Sequence, residues 1–118
     1  MAGLLSRFRS TEVARIPIPG EATATLPQGT VKIRFEQDRG GWNMREGVGA
    51  PAELEVTITP VSGGELLEVQ PTTAGSRTAN RKILSVPYAV VEVPAAGEYR
   101  ITSPTAVERT DPFLVLRA

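Results

Sequence analysis

The chain contains no cysteine and no histidine. The first absence removes disulfides, a thiolate nucleophile, Cys-ligated zinc and iron–sulfur clusters. The second removes imidazole ligands and the commonest general base. Ser-His-Asp and Cys-His catalysis therefore cannot be assembled within these 118 residues. Aspartate is also scarce. Only Asp38 and Asp111 stand beside 11 Glu, and no D-x-D-x-D-G pattern occurs. A hard cation wants several clustered oxygen ligands, so neither a metal nor a cofactor is expected, and the chain reads as not an enzyme. No apolar run reaches the roughly 18 residues of a membrane-spanning helix, so no transmembrane segment is expected. Thirteen basic side chains balance thirteen acidic ones. That balance argues against nucleic-acid binding, which needs a basic surface to neutralise phosphates. Lysine is nearly missing, with Lys32 and Lys82 against 11 Arg; a bias in codon composition is the simplest account.

What is present reads as one β-rich domain. Apolar residues make up 41% and charged residues 22% of the chain, a normal globular balance at a normal domain length. The ten Pro and eleven Gly are spread along the chain and punctuate short segments, a spacing that suits strands and turns. Residues 1–12 form a flexible or docked lead, and 13–118 the domain. The opening residues are not a secretory signal, because the apolar stretch is short and Arg7 and Arg9 follow at once. Gly3 is one position late for myristoylation. A cytoplasmic location is the default expectation.

Strands are expected over residues 13–18, 21–26, 30–36, 53–59, 65–70, 81–85, 88–93, 98–103 and 113–117. Pro17 places the first at a sheet edge, since proline cannot donate to a ladder. The clearest is 30–36, where Val31, Ile33 and Phe35 alternate with Lys32, Arg34 and Glu36. Leu54, Val56 and Ile58 alternate in the same way. Pro87 is expected to separate 81–85 from 88–93. Residues 37–52 break the pattern with four glycines and no period; loops of this length are often functional.

Gly97-Glu98-Tyr99-Arg100-Ile101 resembles the G-x-Y-x-C segment of immunoglobulin-like strands, with Ile101 at the disulfide position, as in the disulfide-free fibronectin type III domains. Trp42, nine residues after Ile33, lies near the family's core Trp but within the Gly-rich loop. The order of apolar strand, P-x-G turn, long polar loop and late G-x-Y-x-I is also similar to small bacterial extracytoplasmic β-sandwich domains. The resemblance implies an immunoglobulin-like β-sandwich of 7–9 antiparallel strands. It implies a structural corner at Tyr99, whose hydroxyl bonds nearby backbone. It also implies an extracytoplasmic or envelope setting as an alternative to the default.

Three groups of side chains are candidate sites. Asp38, Arg39, Trp42, Met44 and Arg45 would give the long loop an aromatic anchor with a polar rim, using residue types enriched in interface hot spots; the alternative is that Trp42 and Met44 cap the open end of the sandwich. Arg77, Arg81 and Lys82 could receive an anion, or simply solvate a strand end. Leu4, Leu5 and Phe8 could touch a membrane surface weakly or dock on another protomer. Glu53/Glu55 and Glu65/Glu68 read as solvated faces. The expected role is a non-catalytic protein-interaction or structural module, with another protein or itself as partner, bound through the 37–52 loop or an edge strand. The alternatives are a carbohydrate- or ligand-binding domain using Trp42 and Tyr88, or a subunit of a larger assembly.

Overall fold

The structure is a computed structural model that describes residues 12–38, 50–72, 78–79, 83–107 and 111–118. Nine strands occur among the described residues: β1 (Glu12–Pro17), β2 (Gly20–Leu26), β3 (Gly29–Asp38), β4 (Thr57–Pro60), β5 (Val69–Pro71), β6 (Thr78–Ala79), β7 (Ile83–Val93), β8 (Gly97–Ser103) and β9 (Phe113–Arg117). All pairings are antiparallel. A six-stranded sheet runs β1-β9-β3-β7-β5, with β6 also on β7; a three-stranded sheet runs β2-β8-β4.

Period-two patterning builds the core. Val31, Ile33 and Phe35 of β3, Leu114 and Leu116 of β9 and Ile16 of β1 are buried from the larger sheet. Leu26 of β2, Ile58 of β4 and Tyr99 and Ile101 of β8 are buried from the smaller one. All of them belong to one apolar cluster, so the two sheets share a single core. A fully buried Leu, Ile or Phe contributes about 1.5–3 kcal/mol, against an entropy cost of similar total size.

The all-β, two-sheet architecture is as expected. The strand order is not the immunoglobulin one, in which the first two strands share a sheet. Here β1 and β2 lie in different sheets, and later strands insert between earlier ones: β9 sits between β1 and β3, and β8 between β2 and β4.

Three strand expectations need correction. The segments expected at 81–85 and 88–93 are not separated at Pro87: β7 runs unbroken through it from Ile83 to Val93, and residues 81–82 lie outside the described residues. The ladder absorbs the proline with a bulge: Ile33 pairs with Ala89 and Arg34 with Pro87, leaving Tyr88 as the extra residue. Residues 53–59 give a strand only from Thr57, since the Leu54 amide donates to the Pro51 carbonyl at 3.2 Å and closes a turn first. Residues 65–70 give a strand only from Val69. Before that, the Leu67 amide donates to the Ile58 carbonyl at 2.9 Å, so the chain runs beside β4. β1 does lie at a sheet edge, as Pro17 requires.

Candidate functional site

Two features of the described residues have more than packing content. The first is on the outer face of the six-stranded sheet. Arg34 and Glu36 alternate with the core residues of β3, and Ser85 stands opposite Glu36 on β7. Arg34 Nε donates to Ser85 Oγ at 2.9 Å and Arg34 Nη2 to the Ser85 carbonyl at 3.1 Å. Ser85 Oγ donates in turn to Glu36 Oε2 at 2.9 Å. The hydroxyl is thus engaged as donor and as acceptor, and Ser85 is 7% exposed. This geometry clamps β3 to β7 beside the bulge and leaves no nucleophile presented to solvent. Next to it Val115 is fully buried but outside the core cluster. The register sets it between Arg15 and Arg34 on that outer face, where long arginine stems cover apolar surface. The Arg15 guanidinium lies 4.4 Å from the Phe113 ring centroid and bonds Glu12 Oε1 at 3.0 Å. That bond holds the Glu12 carboxyl below its usual range despite an opposing desolvation.

The second feature is an edge. A sheet edge presents unpaired amides and carbonyls, and proteins usually blunt it with proline, bulges, lysine or covering chain. β1 ends in Pro17 and carries a register shift between Glu12 and Ala14. β4 is four residues long, ends in Pro60 and is flanked by Leu67. β5 is three residues long and ends in Pro71. Among the described residues β2 carries no such device along its own strand, and β1 approaches it at the corner they share. The seven residues of β2 contain neither Pro nor Lys, and their pairing with β8 is continuous from Gly20↔Ser103 to Leu26↔Gly97. Among the described residues only one side of β2 is paired within its sheet. Glu21, Thr23 and Thr25 are exposed, while Ala22 and Ala24 are half-buried against the core. Glu21 is the single charge on the strand, and its carboxylate accepts from Thr102 Oγ1 at 3.3 Å.

Sequence reasoning placed its main sites elsewhere. Asp38 closes β3 and pairs with Ile83 at the end of the β3–β7 ladder. Arg39, Trp42, Met44, Arg45, Arg77, Arg81, Lys82, Leu4, Leu5 and Phe8 lie outside the described residues. Tyr99 is 4% exposed, and its hydroxyl donates to the Ala95 carbonyl at 2.7 Å, fixing the β7–β8 turn. Tyr88 is half-buried and donates its hydroxyl to the Leu54 carbonyl at 2.8 Å. Burial, and secondarily the charge of Glu55, raise its pKa. Ser103 Oγ donates to the Glu55 carbonyl at 2.7 Å, so Tyr88 and Ser103 together pin residues 54–55. The β2 edge was missed. Its signal is the lack of Pro and Lys in 20–26, which has meaning only once β2 is known to be an edge.

Among the described residues no group of three or more metal-ligating side chains occurs, and no helix is long and apolar enough to cross a membrane. Compared with known proteins, the chain matches no family model, no curated protein and no solved structure.

Proposed function

We propose that this chain is a non-catalytic interaction module, a β-sandwich whose β2 edge accepts an extended strand from a partner. The strand order supports a jelly-roll connectivity for the sandwich, because β1-β9-β3-β7 and β2-β8-β4 interleave as two Greek keys do. The observation that carries the binding role is a contrast among the described edge strands: β1, β4 and β5 are blunted by proline, bulge or shortness and β6 is two residues long, whereas β2 pairs continuously over seven residues. In β-strand addition, backbone hydrogen bonds supply the affinity and alternate side chains supply the selectivity. An incoming strand with small apolar residues on one face would extend the core over Ala22 and Ala24. Its other face would lie level with Glu21, Thr23 and Thr25. The non-catalytic part rests on the missing His and Cys and on the full engagement of the Ser85 hydroxyl.

The test is amide-resolved NMR with a lysine-flanked peptide that alternates valine and threonine. The expected result is shift changes and slowed exchange confined to residues 20–26, and little changed by salt, since main-chain bonds carry the contact. Changes concentrated at Asp38 and Ile83 would instead move binding to the 37–52 loop and refute the edge assignment.

A further inference from the structure

We infer that the strand received at this edge is the β2 of a second copy, paired antiparallel about a two-fold axis through Thr23. The inference rests on the edge reading above and names its partner. The pleat restricts the register first. Directly opposed residues in an antiparallel pair point to the same face, so slipping by one residue would set Ala22 and Ala24 against the polar face. Self-pairing therefore centres on Ala22, Thr23 or Ala24. Centring on Thr23 alone uses the whole seven-residue strand: Gly20 opposes Leu26, Glu21 opposes Thr25, Ala22 opposes Ala24 and Thr23 opposes itself. About six to eight new backbone hydrogen bonds result, depending on which residues face outward.

Side chains agree with this register. Threonine pairs and small apolar pairs are favourable neighbours across strands. The one charged residue, Glu21, meets Thr25 rather than its own copy. The two Glu21 residues stand four positions apart, about 13 Å at strand spacing, beyond the screening length of about 8 Å at physiological salt. Centring on Ala22 would bring them to about 7 Å and shorten the ladder. The product is a continuous six-stranded sheet, β4-β8-β2 followed by its two-fold copy. A two-fold contact of this kind is closed, so it ends at the dimer.

Sedimentation equilibrium of the full chain from about 10 μM to about 1 mM tests the pairing. The expected weight-average mass rises from 12.6 kDa toward twice that value. Thr23→Glu should hold it at the monomer value. Within one copy the new carboxylate faces Arg100, the ladder partner of residue 23, so the melting temperature should be kept. Across the axis two carboxylates would meet at about 5 Å. Because the chain has no other thiol, Thr23→Cys gives a second readout, with oxidation expected to yield a single disulfide-linked dimer. A mass that rises equally in wild type and Thr23→Glu would overturn the proposal, because the dimer would use another surface. A mass that stays at the monomer value throughout would overturn it too. In that case peptide-induced protection of 20–26 would still stand for the edge reading, and its absence would remove both.

Discussion

Tyr99→Phe isolates one hydrogen bond, and its cost can be worked out beforehand. The ring is 4% exposed and stays in place as phenylalanine, so the apolar burial is kept. What is lost is the 2.7 Å bond from the hydroxyl to the Ala95 carbonyl. A neutral hydrogen bond contributes about 0.5–1.5 kcal/mol net. Ala95 is exposed, so its carbonyl can turn to water and no orphaned acceptor adds to the cost. The expected loss is therefore about 1 kcal/mol, seen as a fall of about 4 °C in melting temperature. In urea it amounts to about 0.5 M in the midpoint with an unchanged slope. Amides of the 94–97 turn should exchange faster by a similar factor. Tyr99→Ala is the contrast, because it also empties the core beside Ala24 and Pro60, the ladder partners of residue 99. About 3–5 kcal/mol is expected there. If Tyr99→Phe matched wild type in both the urea midpoint and turn exchange, the hydroxyl would have no share in holding the corner. If it cost as much as Tyr99→Ala, the packing account of the ring would fail.

Two further predictions concern local geometry and pH. A Cβ at Gly20 would lie 2.6 Å from the Pro17 carbonyl oxygen, whereas one at Gly97 meets nothing within 4 Å. Gly20→Ala should therefore cost about 1–3 kcal/mol and Gly97→Ala should be neutral or slightly stabilising, as thermal melts of the pair can show; the reverse order would contradict the β1–β2 corner. For Tyr88, the folded-state pKa is raised above its ordinary value of 10.0 by burial and by Glu55. Its contribution is fully present below about pH 10 and is lost as pH rises through the folded value. Urea midpoints should fall above pH 10 in wild type and fall less steeply in Tyr88→Phe.

The strands that sequence revealed best are those that start directly after a turn residue, Gly29, Gly97 or Pro112. The segment 113–117 coincides with β9, and 30–36 and 98–103 fall within β3 and β8. Errors came where alternation and backbone bonding diverge. Leu54, Val56 and Ile58 alternate as a strand should, but the carbonyls of Leu54 and Glu55 are taken by Tyr88 and Ser103 side chains, so the ladder starts later. Pro87 read as a break because it lacks an amide proton. A bulge at Tyr88 let the ladder pass it, and a bulge depends on the partner strand, which local sequence does not contain. The Arg34–Ser85–Glu36 clamp joins residues about fifty positions apart and follows from register alone. The same holds for the β2 edge. The composition of 20–26 is plain in the sequence, but its meaning depends on β8 pairing with one side of it and no described strand pairing with the other.

Amide exchange of residues 20–26 at two protein concentrations, about 10 μM and about 1 mM, tests the central claim most directly. An open β2 edge that pairs with its own copy predicts that alternate amides in this strand slow at the higher concentration, while those of β1, β4 and β5 do not change. Equal exchange at both concentrations, combined with no protection by the valine–threonine peptide, would mean that β2 is an edge that receives nothing, and the account of function would be wrong.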